Sequence, residues 1–224
     1  MRQTNLGQES GTGSIIFGGE DLNKYTPPLT SFAIQNLTSY LTGLAIPLAS
    51  VGVTDDSGDE IFYTSAEGSL PASAILDTGT TLTYLPSDIF DDLKKRFGVV
   101  AASNEFGGTE FFLPCNLGQG QVDFVFGNSS AGEPSAVISV DFSELALQQQ
   151  GVESSSDPAD CIFGFASGGT EFVNLGDTFL RSAYVVYNFD TMEISIAQSN
   201  PNGVESDIVA FTGTAITRKS KKGS

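Results

Sequence analysis

Ala74-Ile75-Leu76-Asp77-Thr78-Gly79-Thr80-Thr81-Leu82-Thr83 is the stretch on which the reading of this chain turns. Three apolar residues with strand character run straight into a carboxylate, a hydroxyl, a glycine and two more hydroxyls. A carboxylate at the end of a buried strand is costly unless donors satisfy it. Gly79 lets the backbone turn closely, and Thr80 offers a hydroxyl donor three residues away. On a bare Asp-Thr-Gly the simpler reading is an Asx-turn, in which Asp77 satisfies local amides between strands.

Working outward, short apolar runs bounded by turn residues predict strands over 44–53, 60–64, 72–76, 111–113, 122–126 and 136–140. Gly11 to Gly19, Gly-rich at both ends around Ile15-Ile16-Phe17, predicts a short buried strand. Ser87 is placed to cap a helix over 89–97 that carries acids early, Lys94-Lys95-Arg96 late, and Gly98 as its stop. A second, shorter helix is expected over 144–149, with Asp141 or Ser143 as its cap. The apolar residues lean toward Phe, Val, Ile and Tyr, so the fold class is all-β with short helices, in one domain.

The sequence has 224 residues, 27 Asp and Glu against 10 Lys and Arg, and a formal net charge of −17. That field repels nucleic acid and anionic membranes, so no nucleic-acid partner is expected; it suits cationic side chains or acidic surroundings. There is no His. A self-contained Ser-His-Asp or Cys-His site is thereby excluded, the commonest zinc ligand is missing, and carboxylates are the main catalytic candidates. The acidic run Asp55-Asp56-Ser57-Gly58-Asp59-Glu60 lacks the EF-hand ligand pattern and reads as a solvated hairpin tip, so neither metal nor cofactor is expected. Cys115 and Cys161 are far apart and without CxxC spacing, which favours one structural disulfide over a redox or metal site and leaves two buried thiols as the alternative. Asn36-Leu37-Thr38 and Asn128-Ser129-Ser130 are glycosylation candidates, in keeping with secretion. No run reads as a signal peptide or a membrane span, so an export signal is expected outside these residues.

The string around Asp77 resembles the pepsin-like aspartic peptidase family, in which two apolar residues followed by Asp-Thr-Gly-Thr/Ser mark the catalytic loop of each lobe. Gly13 to Gly19 with Asp21 and Lys24-Tyr25-Thr26 is similar to the segment joining the family's lobes. Leu175-Gly176-Asp177-Thr178-Phe179-Leu180-Arg181, with Tyr184 to Tyr187, resembles its second Gly-bearing loop, and the spacing of Cys115 and Cys161 resembles the disulfide of the C-terminal lobe. The resemblance favours fungal members, the yapsin-like group among them. It implies residues 1–10 as a lead-in or lobe linker and 11–198 as the C-terminal lobe of the bilobal acid protease fold; after 198 the hydrophobic pattern weakens, and 199–224 reads as a tail.

The same resemblance implies site roles. Asp77 is one of two catalytic aspartates, Thr78 braces the two lobes, Gly79 lies near the shared oxygens, Thr80 holds the outer carboxylate oxygen, and Ile75 and Thr81 line substrate subsites. Asp177 is structural, with Arg181 four residues on as its expected partner. Asn174 departs from the apolar pair the family usually has before the glycine matched by Gly176. Only one Asp-Thr-Gly occurs, so the implied partner is the N-terminal lobe of the same protease, the substrates are peptides or proteins, and the inhibitors are pepstatin-like. Two carboxylates sharing a proton are needed, one as general base and one as acid. A catalytically silent binding or inhibitor module is the alternative, and a retropepsin-like homodimer ranks behind both. A secreted or cell-surface location follows, or an acidic vacuolar one, and the acidic surface suits Lys or Arg near the scissile bond.

Overall fold

The computed structural model describes residues 13–36, 42–55, 60–63, 69–103, 108–127, 135–148, 161–169, 173–202 and 205–211. Its centre is a nine-stranded sheet. Five strands of that sheet run in the order Ser135–Asp141, Gly120–Gly127, Thr42–Asp55, Ala72–Leu76, Val173–Leu175, and Thr83–Leu85 and Phe165–Ser167 close the row. The expected strand over 72–76 has those limits, and those over 44–53, 122–126 and 136–140 each extend by one or two residues at either end. Glu60–Tyr63 pairs back on Thr42–Asp55 as a hairpin arm, whose tip lies outside the described residues.

One crossing positions everything else. Ala72–Leu76 and Thr83–Leu85 are consecutive in the chain, yet they do not pair with each other. Val173–Leu175 passes between them, parallel to the first and antiparallel to the second. The loop 77–82 must therefore arch over the end of that intruding strand. Val173 and Leu175 are fully buried, as period-2 alternation requires of one face, so the intervening Asn174 points to the opposite side.

The core beneath the sheet is aromatic. Phe90, Phe124, Phe126, Phe163, Phe165 and Phe179 are almost fully buried, and Phe124 meets Phe179 edge-on with ring centroids 5.0 Å apart. Such edge-to-face pairs add about 0.5–1.5 kcal/mol beyond burial. Phe179 belongs to the short helix Asp177–Leu180 that follows the crossing, so the packing under this helix fixes the loop above it.

Several local expectations are corrected. Residues 13–18 form no strand. Ile15 is 60% and Phe17 92% exposed, and strand structure begins only at Gly19. The helix starts at Ser87 itself, with Pro86 in the capping position and no side-chain cap; Ser87 Oγ instead meets Ser167 Oγ at 2.8 Å. Gly98 stops it as expected, at φ +63°. The second helix is one 3₁₀ turn, Phe142–Leu145, because residues 146–148 extend into a strand against Cys161–Phe163. Within the stretch expected as a tail, Ile208–Ala210 pairs with Gly19–Asp21, tying the two ends of the described chain together.

Cys115 and Cys161 are joined, with Cα atoms 5.2 Å apart. The bridge closes a loop of 46 residues, which in the loop-entropy picture stabilises the fold by about 4 kcal/mol. Replacing both cysteines by Ala is expected to lower the urea unfolding free energy by roughly 2–5 kcal/mol. A loss under 1 kcal/mol would show that the bridge does not restrain the unfolded chain.

Candidate active site

Asp77 follows the last residue of Ala72–Leu76, and its amide donates to the Leu175 carbonyl at 3.0 Å. The chain then turns at Gly79. From the other side, Asp177 N–H donates to Thr80 O at 2.8 Å and Thr178 N–H to Thr81 O at 3.2 Å. The loop is thus stitched on both limbs to the segment 175–178. Gly176 makes this approach possible by lacking a side chain: a Cβ there would lie 2.3 Å from Leu82 O and 2.5 Å from Thr80 O. Below it, Thr178 Oγ1 is buried, donating to the Gly164 carbonyl at 3.0 Å and lying 2.9 Å from Thr83 Oγ1.

The Asp77 carboxylate is unevenly provided with donors. Oδ2 accepts from Thr80 Oγ1 at 2.6 Å and from Asn174 Nδ2 at 2.9 Å. Oδ1 accepts the Gly79 N–H at 2.9 Å. One oxygen is saturated, and the other retains a lone pair beside a single amide. The Asn174 amide, then the Thr80 hydroxyl and the Gly79 amide, hold the carboxyl below the ordinary Asp value against the opposing effect of partial burial. With a lowered native value, the stability that ionised Asp77 contributes is complete above the ordinary Asp range and is lost as pH falls through the lowered value.

Asp177 behaves oppositely. Burial pushes its carboxyl up, the Arg181 charge pulls it down, and the Asp77 charge raises it further. On acidification Asp177 takes its proton before Asp77 does. Arg181, the expected partner of Asp177, engages the Glu144 carboxylate and carbonyl through Nε and Nη2, and its charge also acts on Asp177. Tyr187 is pushed up to about 12 by burial and by the Asp77 charge, so it stays neutral at any pH at which carboxylates titrate.

A cleft of about 1190 Å³ opens over Asp77 and Thr78, lined by Ile15, Phe17, Leu44, Ile75, Tyr187 and Phe189 among others. Ile75 and Asp77 are brought together there. Thr78 and Gly79 are exposed at the loop tip. Thr81 is exposed as well, and the contact it makes is the backbone one to Thr178. Asn36 ends a two-residue strand, Gln35–Asn36; the remainder of its sequon and all of the Asn128 sequon lie outside the described residues. Sequence reasoning noticed Asn174 only as a departure from an apolar pattern. A polar residue in the middle of an apolar strand, two positions before a glycine, is the available signal.

A strand threaded between the two limbs of an Asp-Thr-Gly loop, with the aspartate at the floor of a cleft, defines an aspartic peptidase lobe. The sequence model of the eukaryotic aspartyl protease family matches residues 3–199, and the chain belongs to that family. It is similar to the protein named "Probable aspartic-type endopeptidase opsB" of Aspergillus oryzae, 35% identical over 198 residues that make up 88% of this chain and 39% of the relative. Rhizopuspepsin-2 of Rhizopus niveus is 31% identical over 86% of this chain and 42% of its own length. Secreted aspartic protease 9 of Candida albicans is 31% identical over 90% and 35% respectively. The chain therefore spans less than half the length of these fungal relatives and corresponds to the C-terminal, pepsin-like region.

Proposed function

We propose that this chain is the C-terminal half of a bilobal aspartic endopeptidase, with Asp77 as one of two catalytic carboxylates and an N-terminal lobe supplying the other. The observation that carries this is the asymmetry of Asp77, with Oδ2 tied by two donors and Oδ1 left a lone pair beside the Gly79 amide. A water held between Oδ1 and a second carboxyl group is deprotonated by the ionised carboxylate as it attacks the peptide carbonyl carbon. The protonated carboxyl meanwhile gives its proton to the carbonyl oxygen. Collapse of the resulting gem-diol breaks the C–N bond, and the amine leaves with a proton returned from the dyad. Thr78, exposed at the loop tip, is the brace to the second loop.

The apolar wall of Ile15, Phe17 and Phe189 supports the same reading. Exposed apolar residues of this size around a cleft suit burial by another lobe and by apolar substrate side chains. Asp190 on the lining is where a Lys or Arg side chain of a substrate would be drawn. The disulfide and the name of the Candida relative support an extracellular or cell-surface location.

Complementation is the test. The purified chain alone is expected to give no peptide cleavage at acid pH. Adding an N-terminal lobe from the same polypeptide is expected to give turnover that a pepstatin-like transition-state mimic blocks. Turnover by the chain alone would sink the two-lobe requirement. A reassembled pair that neither cleaves peptides nor binds the mimic would favour a catalytically silent module.

A further inference from the structure

We propose that Asn174 is a positioning residue for the dyad, presenting an amide donor to Asp77 Oδ2 that marks Asp77 as the member carrying the negative charge. This rests on the reading of Asp77 as a catalytic carboxylate and adds a residue and a division of labour to it. Asn174 occupies the centre of the intruding strand, in register with Ile75 on one side and Tyr84 on the other. Pairing on both edges fixes the direction of its side chain. Nδ2 lies 2.9 Å from Asp77 Oδ2 and 3.4 Å from Thr80 Oγ1. Its second, longer contact occupies a lone pair of the Thr80 oxygen, so that the single hydroxyl proton is directed at the carboxylate.

Packing alone gives no reason for an asparagine here. The site is 7% exposed on a pleated strand whose neighbours are Val173 and Leu175, where an aliphatic residue fits better. Asn174 Oδ1 is buried with no hydrogen-bond partner among the described residues, an arrangement that weakens a fold. What the side chain gains in exchange is directed wholly at Asp77 and Thr80. An amide donates to a carboxylate and has far less to offer a neutral acid's Oδ2, so the contact distinguishes the two protonation states. The ionisable groups that face the pair are Asp177, just after the intruding strand, and Tyr187, which lines the same cleft, and each feels the Asp77 charge; Arg181 pairs with Glu144. Tyr187 is neutral in the acid range, and Asp177 loses its charge before Asp77 does, so neither neutralises Asp77. The consequence is that the shared proton resides on the partner lobe's aspartate, which acts as the acid while Asp77 acts as the base.

The test uses the 224-residue chain and the two-lobe protein in parallel. In the wild-type chain, the Asn174 side-chain amide resonances are expected to follow the Asp77 carboxyl carbon through its titration. In Asn174→Leu that titration is expected to move to higher pH, raising the protonated-to-ionised ratio about tenfold at a fixed pH within it. The variant's thermal midpoint is expected to hold or rise, which a purely structural role for Asn174 would not produce. In the two-lobe protein the acid limb of kcat moves up by the same amount, with KM little changed. Asn174→Thr serves as the second variant, its hydroxyl being too short to replace the amide. An unchanged Asp77 titration in either folded variant, or wild-type amide resonances indifferent to it, overturns the proposal. A shifted titration in the chain together with an inactive two-lobe protein would leave the amide–carboxylate coupling standing and remove the peptidase reading instead.

Discussion

Asp77→Asn is expected to lower kcat/KM of the assembled two-lobe enzyme about 10⁴-fold, the upper end of what a positioned acid–base group contributes. The substitution keeps size and shape but leaves nothing that can take a proton from water near neutrality or below. It also turns the local hydrogen bonding against itself. The Gly79 amide and the Thr80 and Asn174 donors converge on two acceptor oxygens, and the new side chain must set an NH₂ group against one of these donor sets. Stability should fall as well, because the hydrogen bonds these donors make to the ionised carboxylate are lost or weakened. Steady-state cleavage of a peptide, with circular dichroism and an unfolding curve as controls, separates loss of chemistry from loss of fold. Activity within tenfold of wild type would remove Asp77 from the mechanism.

Gly176→Ala is expected to destabilise the fold by about 3 kcal/mol, the upper end for overpacking, and to disturb Asp77 as well. The atoms a methyl would strike are the carbonyl oxygens of Leu82 and Thr80, at 2.3 and 2.5 Å. Neither can withdraw freely. Thr80 O already accepts the Asp177 amide, and Asp77 itself is anchored to Leu175, so relief of the clash must lift the loop off the intruding strand. Gly98→Ala is the contrasting control. At φ +63° with nothing within 4 Å of the added methyl, it suffers only the left-handed strain, about 1 kcal/mol. Urea unfolding of the two variants measures the difference, and similar losses would refute a steric role for Gly176.

Where sequence and structure agree, the signal lies within a few residues. Ala72–Leu76 is an uninterrupted apolar run ending in a polar turn, and its limits are found as expected. The Thr80 hydroxyl is three residues from Asp77 and the Gly79 amide two, distances a tight turn fixes whatever surrounds it. The helix ending at Gly98 is read as easily, though its N-terminus is not: Ser87 looks like a cap, but Ser167, 80 residues on, takes its hydroxyl and Pro86 assumes the position. Ile15-Ile16-Phe17 misled in the other direction, since apolar residues facing a cleft look in sequence like those facing a core.

Local chemistry, then, determined the Asp-Thr-Gly turn, the all-β character and a loop carboxylate served by donors of its own turn. These depend on residue type and short spacing, which the chain carries with it. Tertiary structure decided which distant groups complete the site. Nothing near Asn174 in the chain indicates that its amide meets Asp77, 97 positions away, nor that Arg181 pairs with Glu144, 37 positions away. Both follow from one strand passing between two others. A hydrogen bond over such a separation exists only once the sheet order is set, and that order is chosen by burial of the whole aromatic core rather than by any residue at the site.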